Sequence, residues 1–205
     1  VGEFNMSNLL VFLLGLVTLA HANQWFDDYV SKAEDVYNWY EVPNSSFTTP
    51  MGGTGYLVNV TSLKWLDTTK ASGPNGDIWS HLAVVIVPKH LKFTNVSLSY
   101  ISGNCNGEVN PQPKKFDDDV LLADQVSSTT GAIAVAIKQV PNCPIVFPSD
   151  PDQKSRREDA IIAWTWKEFV DRDDHDPEWL LHVPMTKGAM QAMKGAQSFI
   201  NDQLQ

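Results

Sequence analysis

Two cysteines (Cys105 and Cys143), four histidines beyond residue 23, and an acidic run from Asp171 to Asp176 are the residues whose types suggest chemistry. A cysteine nucleophile needs a histidine base and an orienting group, and no His or Asn pattern near either cysteine supplies them. The same two residues could instead close a disulfide, provided the chain folds in an oxidising compartment. His81, His90, His175 and His182 are scattered without ligand spacing. The run "DRDDHD" invites comparison with a calcium loop. Counted from Asp171, such a loop requires glycine where Asp176 stands and glutamate where His182 stands. It reads as a solvated loop after a helix, and no metal site is expected. The sequence after residue 22 also lacks GxSxG, HExxH, CxxC and a phosphate-cradling glycine loop, so no cofactor is expected.

One loop keeps a chemical reading open. "SGNCNG", residues 102–107, follows a strand, and ligands of open α/β sheets bind outside the carboxyl ends of strands. The backbone N–H groups of Gly103, Asn104, Cys105 and Asn106 could face a developing oxyanion there. The same residues equally make a tight turn.

The compartment is legible from the N-terminus. Met6 opens "MSNLLVFLLGLVTLAHA", an apolar run ending in Ala20-His21-Ala22. That is a secretory leader over residues 6–22, preceded by linker-like residues 1–5 and followed by a mature segment, residues 23–205. The run is too short for a stable membrane anchor. Secretion gives meaning to three sequons, at Asn44, Asn59 and Asn95, which sit beside turn or strand-end signals and are expected to carry glycans. It also makes pairing of Cys105 with Cys143 the default, worth about 4 kcal/mol on the chain-entropy model. The formal charge is −9, with no basic stripe. Nucleic acid and anionic membrane surfaces are therefore poor partners.

These residues must be positioned by an ordered set of elements. "DDYVSKAEDVYNWYEV" reads as an amphipathic lead-in. "YLVNVTSLKW" alternates, with Leu57, Asn59 and Thr61 on one face and Val58, Val60 and Ser62 on the other. "WSHLAVVIVP" is a second strand, and the two form an antiparallel pair. "VSLSYI" is a third strand, and "DDDVLLADQVSSTTG" a helix with an acidic start that suits its dipole. "AIAVAI" is apolar at every position, as in a strand covered on both faces within a largely parallel sheet. The fold class is α/β.

Two further helices follow. In "SRREDAIIAWTWKEFV", Ser155 and Glu158 have capping-box spacing. Ile161, Ile162, Thr165, Trp166, Phe169 and Val170 share half the circumference, predicting a sheet-covering face that leaves Trp164 outward. In "PMTKGAMQAMKGAQSFI", Thr186 reads as the cap, Met185 and Met190 as a staple, and Met190, Met193, Gln197 and Ile200 as the buried stripe.

Several stretches together resemble the PhoPQ-activated pathogenicity-related family. They are "VSLSYISGNCNG", "VPN-x-P-x-VF", "R-x-EDA-x-IA-x-TW" and "PMTK", and the likeness runs from about Trp25 to Ile200. The family is similar to α/β-hydrolases in fold, and its eukaryotic branch includes secreted autocrine proliferation repressors. The resemblance implies strand order 1-2-4-3-5, and a chain that is the N-terminal portion of its domain. Strand five, the nucleophile turn and the acid and histidine positions would then follow residue 205. The implied partners are the remaining C-terminal half and either a peptide or ester substrate or a cell-surface receptor. Alone, the segment is expected to be inactive.

Overall fold

The computed structural model describes residues 24–107 and 116–204. The expected leader, residues 6–22, and residues 1–5 lie outside them. The chain divides into two units, Val1–Ala33 and Glu34–Gln205. In the first, helix α1 (24–31) carries Trp25 stacked on Tyr29, with ring centroids 5.5 Å apart.

The second unit is built on a six-stranded sheet. Its strands are β1 (Asn38–Glu41), β2 (Phe47–Thr48), β3 (Thr54–Lys64), β4 (Ile78–Val87), β5 (Phe93–Ile101) and β6 (Ala132–Ile137). The order is β1-β3-β4-β6-β5, with β2 beside β3. Helix α2 (Asp118–Thr130) joins β5 to β6; α3 (Asp159–Asp171), a 3-10 turn (Pro177–Trp179) and α4 (His182–Leu204) follow. The two alternating strands do pair antiparallel, and the four strands anticipated from the sequence lie in the order 1-2-4-3.

A largely parallel sheet does not form. Only β5–β6 is parallel; β1–β3, β2–β3, β3–β4 and β4–β6 are antiparallel. The all-apolar sequence of β6 reported coverage of both faces, and all six of its residues are buried. It carried no information about the direction of β4, its other neighbour. β1 and β2 were also missed, being too short for a period to register.

Strand alternation divides the core. On one face Val58, Val60, Val85, Ile133 and Val135 pack against Ala189, Ala192, Ala196, Phe199 and Ile200 of α4. On the other, Leu57, Val84, Ile86, Ala134 and Ala136 meet Val120 and Ala123 of α2. The two helices therefore lie on opposite faces. Small residues let α4 approach closely: a Cβ on Gly195 would stand 2.7 Å from Val60. Asp117 caps α2 by accepting from the Asp119 N–H, and Gly131 closes it at φ 78°, in the left-handed region that suits glycine. Along the edge strand β5, Phe93, Val96, Leu98, Tyr100 and Ile101 remain exposed.

Both C-terminal helices depart from the sequence reading. α4 begins at His182 rather than after Thr186, whose hydroxyl donates back to the His182 carbonyl at 2.8 Å. Met190, Met193 and Gln197 are exposed, because the alanines, Phe199 and Ile200 form the seam that can come close to the strands. The Ser155–Glu158 capping box does not form either. Arg156 pairs in extended geometry with Ile145, and the Glu158 cap makes no side-chain cap bond.

On α3 the buried residues are Ile161, Trp164 and Thr165, while Trp166 and Val170 are exposed. The positions i, i+3 and i+4 are as helical as the half-circle predicted, but the arc is turned. The reason is what α3 packs against. It joins a further cluster with Trp65, Trp79, Ile145, Phe147 and Trp179, at the end of the sheet where Leu63 of β3 pairs with Trp79 of β4. Trp164 stacks on Phe147 with ring centroids 5.9 Å apart, and the Arg156 guanidinium lies over the Trp164 ring at 4.3 Å. Trp164 is therefore an inward residue, and α3 caps an aromatic cluster rather than the sheet. No helix among the described residues is long and apolar enough to cross a membrane.

Candidate functional site

The loop that sequence reasoning singled out leaves β5 at its carboxyl end, and the backbone keeps it in register with the segment after β6. Ser102 N–H donates to the Ile137 carbonyl (2.7 Å), Gln139 N–H to Gly103 (2.7 Å) and Val140 N–H to Ser102 (3.2 Å). Asn104 then turns through a left-handed conformation, φ 70°. Its N–H donates to Glu158 Oε1 at 3.0 Å, and a Cβ on Gly103 would stand 2.8 Å from the same oxygen. A side chain at residue 103 would have to push the Glu158 carboxylate aside.

Cys105 and Cys143 form a disulfide across 38 residues. Around it Asn106 works as a double clamp: its N–H donates to the Cys143 carbonyl (2.9 Å) and its Oδ1 accepts from the Cys143 N–H (3.3 Å). Its Nδ2 donates to the Ser80 carbonyl at 2.9 Å. Asn142, itself buried, accepts from the Ser80 N–H (3.0 Å) and donates to the Ser80 carbonyl (2.6 Å). The N–H groups of Asn104 and Asn106 are thus already committed, one of them to a carboxylate. Of the four loop residues, only Gly103 and Cys105 could still present a free N–H to an anion.

Next to the loop Lys138 bridges to the start of α2. Its ammonium lies 2.6 Å from Asp117 and 2.8 Å from Asp119, and Ser102 Oγ donates to Asp119 at 2.9 Å. Burial alone would lower the Lys138 pKa; the hydrogen bonds and charges of the two aspartates outweigh it and hold it above the ordinary lysine value. The group stays charged, which suits an anchor and not a nucleophile.

A serine–histidine pair lies elsewhere and was not foreseen. Ser62 Oγ and His81 Nε2 are 2.9 Å apart, and His81 Nδ1 is 2.9 Å from the Gln139 carbonyl. A carbonyl can only accept, so Nδ1 carries the proton and Nε2 accepts from Ser62. Burial, only partly opposed by the Gln139 and Lys138 backbone, lowers the His81 pKa from 6.5 to about 4. Both side chains are sealed in the interior, at 0% and 1% exposure, so no substrate reaches them. Strand parity could have flagged the pair, since Ser62 and His81 lie in strands already predicted to be adjacent. No group of His, Cys, Asp and Glu that could hold a metal occurs among the described residues.

The sequons differ in setting. Asn44 is exposed in a turn between β1 and β2, and Asn95 is exposed near the start of β5. Asn59 corrects the expectation of a strand end: it sits mid-way along β3, between Tyr40 and Leu82.

Comparison with known proteins settles the grouping. The family model described as PhoPQ-activated pathogenicity-related protein matches residues 26–205. The chain belongs to this family. It is also 31% identical over 194 residues to autocrine proliferation repressor protein A of Dictyostelium discoideum, covering 95% of this chain and 36% of that one. It therefore spans about a third of that relative's length. No solved structure matches. Three polar residues of the motifs act as anchors, and Asn142 and Lys187 among them are buried. Asn142 holds Ser80, Arg156 pairs with Asp150 at 2.8 Å beside Trp164, and Lys187 of "PMTK" is paired with Glu34 in the interior.

Proposed function

We propose that this chain is the N-terminal portion of a secreted, glycosylated α/β-hydrolase-like protein whose sheet continues past β5, and that it does not catalyse alone. The observation that carries this reading is the order β1-β3-β4-β6-β5 taken with α2 and α4 on opposite faces. Parallel crossovers are right-handed. The step from β5 to β6 runs across the sheet with α2 on one face. A right-handed step from β6 with α4 on the opposite face must run the other way, past β5. That edge has exposed Val96, Leu98 and Tyr100 on one side of the strand, and on the other a groove lined by Ser97, Ser99, Met193 and Ile200. An unblunted apolar edge of this kind fits a further parallel strand.

In such a protein the carboxyl ends of β5 and β6, with the loop Gly103 to Asn106, would flank a nucleophile supplied by later sequence. The class of substrate is a peptide or an ester. The test is made on the full-length secreted protein. A Gly-x-Ser turn soon after residue 205 is expected, with hydrolysis of activated esters or peptides abolished by Ser→Ala there. A full-length sequence with the serine replaced, or activity that survives Ser→Ala, overturns the reading.

The name of the D. discoideum relative supports a second reading, a secreted glycoprotein signal that restrains proliferation through a cell-surface receptor. Fold does not choose between them. Growth restraint by the full-length protein that persists in the Ser→Ala variant would favour the signal.

A further inference from the structure

The half of the sheet face that α2 does not reach is a polar hollow. α2 covers Leu57, Val84 and Ile86 and stops short of Asn59 and Thr61, which point to the same side. There β1, β3 and β4 floor a cavity of about 400 Å³ whose wall includes Asn75, Asn106 and Gln139. Among the described residues, amides, hydroxyls and apolar groups make up the lining, without a charged side chain. Tyr40 stands directly across from Asn59 in the β1–β3 register and is 47% exposed. Leu82 faces Asn59 from β4. The Asn59 carboxamide and the Thr61 hydroxyl make no hydrogen bond among the described residues.

Neutral hydrogen-bonding groups beside an exposed aromatic ring suit a sugar, whose apolar ring face can lie on the phenol while its hydroxyls and acetamide meet amides. Asn59 and Thr61 are also the first and third residues of a sequon. We infer that the hollow is the seat of an N-acetylglucosamine attached to Asn59 itself, ordered between Tyr40, Leu82 and the Asn75–Gln139 wall. The inference rests on the secretory reading above. The modifying reagent would be a lipid-diphosphate-linked oligosaccharide met during secretion. The Asn59 Nδ2–C1 bond forms as the C1–O bond to the diphosphate breaks; Nδ2 loses one proton, and the lipid diphosphate leaves.

Seating distinguishes this glycan from those expected at Asn44 and Asn95, whose side chains are open to solvent. The full-length protein is secreted from a glycosylating host, its glycopeptides are identified by mass, and a peptide:N-glycanase is applied before and after denaturation. Asn59 is expected to be occupied and, in the native protein, released on the order of tenfold more slowly than the other two, the factor given by about 1.4 kcal/mol of seating. Denaturation should abolish the difference, and Tyr40→Ser should reduce it in the native state. Asn59 empty while Asn44 or Asn95 is occupied overturns the seat and leaves the secretory reading standing. So does native release from Asn59 at the rate of its companions. All three sites empty would bring down both.

Discussion

His81 of β4 and Ser62 of β3 share a hydrogen bond of 2.9 Å in an interior that excludes solvent from both. The pair looks like the start of a catalytic relay, but its third member is the Gln139 carbonyl and nothing can reach the hydroxyl. Its consequence lies in stability.

The His81 pKa is lowered in the folded state, so the unfolded chain binds the proton more readily. Stability from the neutral imidazole is therefore complete above the unfolded value of 6.5 and lost as pH falls towards about 4. The full effect is roughly 3 kcal/mol. Urea midpoints measured from pH 7.5 to 4.5 should fall through this window, and His81→Gln should flatten the slope. An unchanged slope in the variant would remove His81 as the cause.

Lys187 and Glu34 form an interior ion pair joining α4 to the segment before β1. Removing one partner strands the other charge, so Lys187→Met or Glu34→Ala should each cost about 3–5 kcal/mol. The double variant should cost clearly less than the two losses added. Additive losses in a double-mutant cycle would count against the pairing.

The corrected face of α3 separates two tryptophans. Trp164→Ala removes a buried ring in contact with Phe147 and Arg156 and should cost about 3–5 kcal/mol. Trp166→Ala, on the exposed side, should change stability by about 0.5 kcal/mol. Equal losses in thermal unfolding would favour the arc first drawn from the sequence.

Replacing Cys105 and Cys143 together by serine should lower stability by about 4 kcal/mol. The Asn106 clamp on Cys143 should also loosen, so hydrogen exchange at the Asn106 and Cys143 amides should accelerate more than that of β6. Exchange that changes equally at every amide would point to a purely global effect.

Much was determined by sequence alone, because periodicity reports burial. It identified the two alternating strands, the doubly covered β6 and the helix whose N-terminal acids cap it at Asp117. The cysteine pair followed from number and the expected compartment, and the family from short combined motifs. Which neighbour each surface meets was decided only by the tertiary structure. A helical period cannot reveal that α3 faces an aromatic cluster instead of a sheet, so Trp164 was turned outward. Methionine spacing cannot show that small residues bring α4 closer along another seam. Nor can a run of six apolar residues give the direction of both flanking strands. The loop at residues 103–106 shows the same division. Its turn chemistry was visible as letters, but the carboxylate of Glu158 and the carbonyl of Cys143, which occupy two of its N–H groups, arrive from sequence far away.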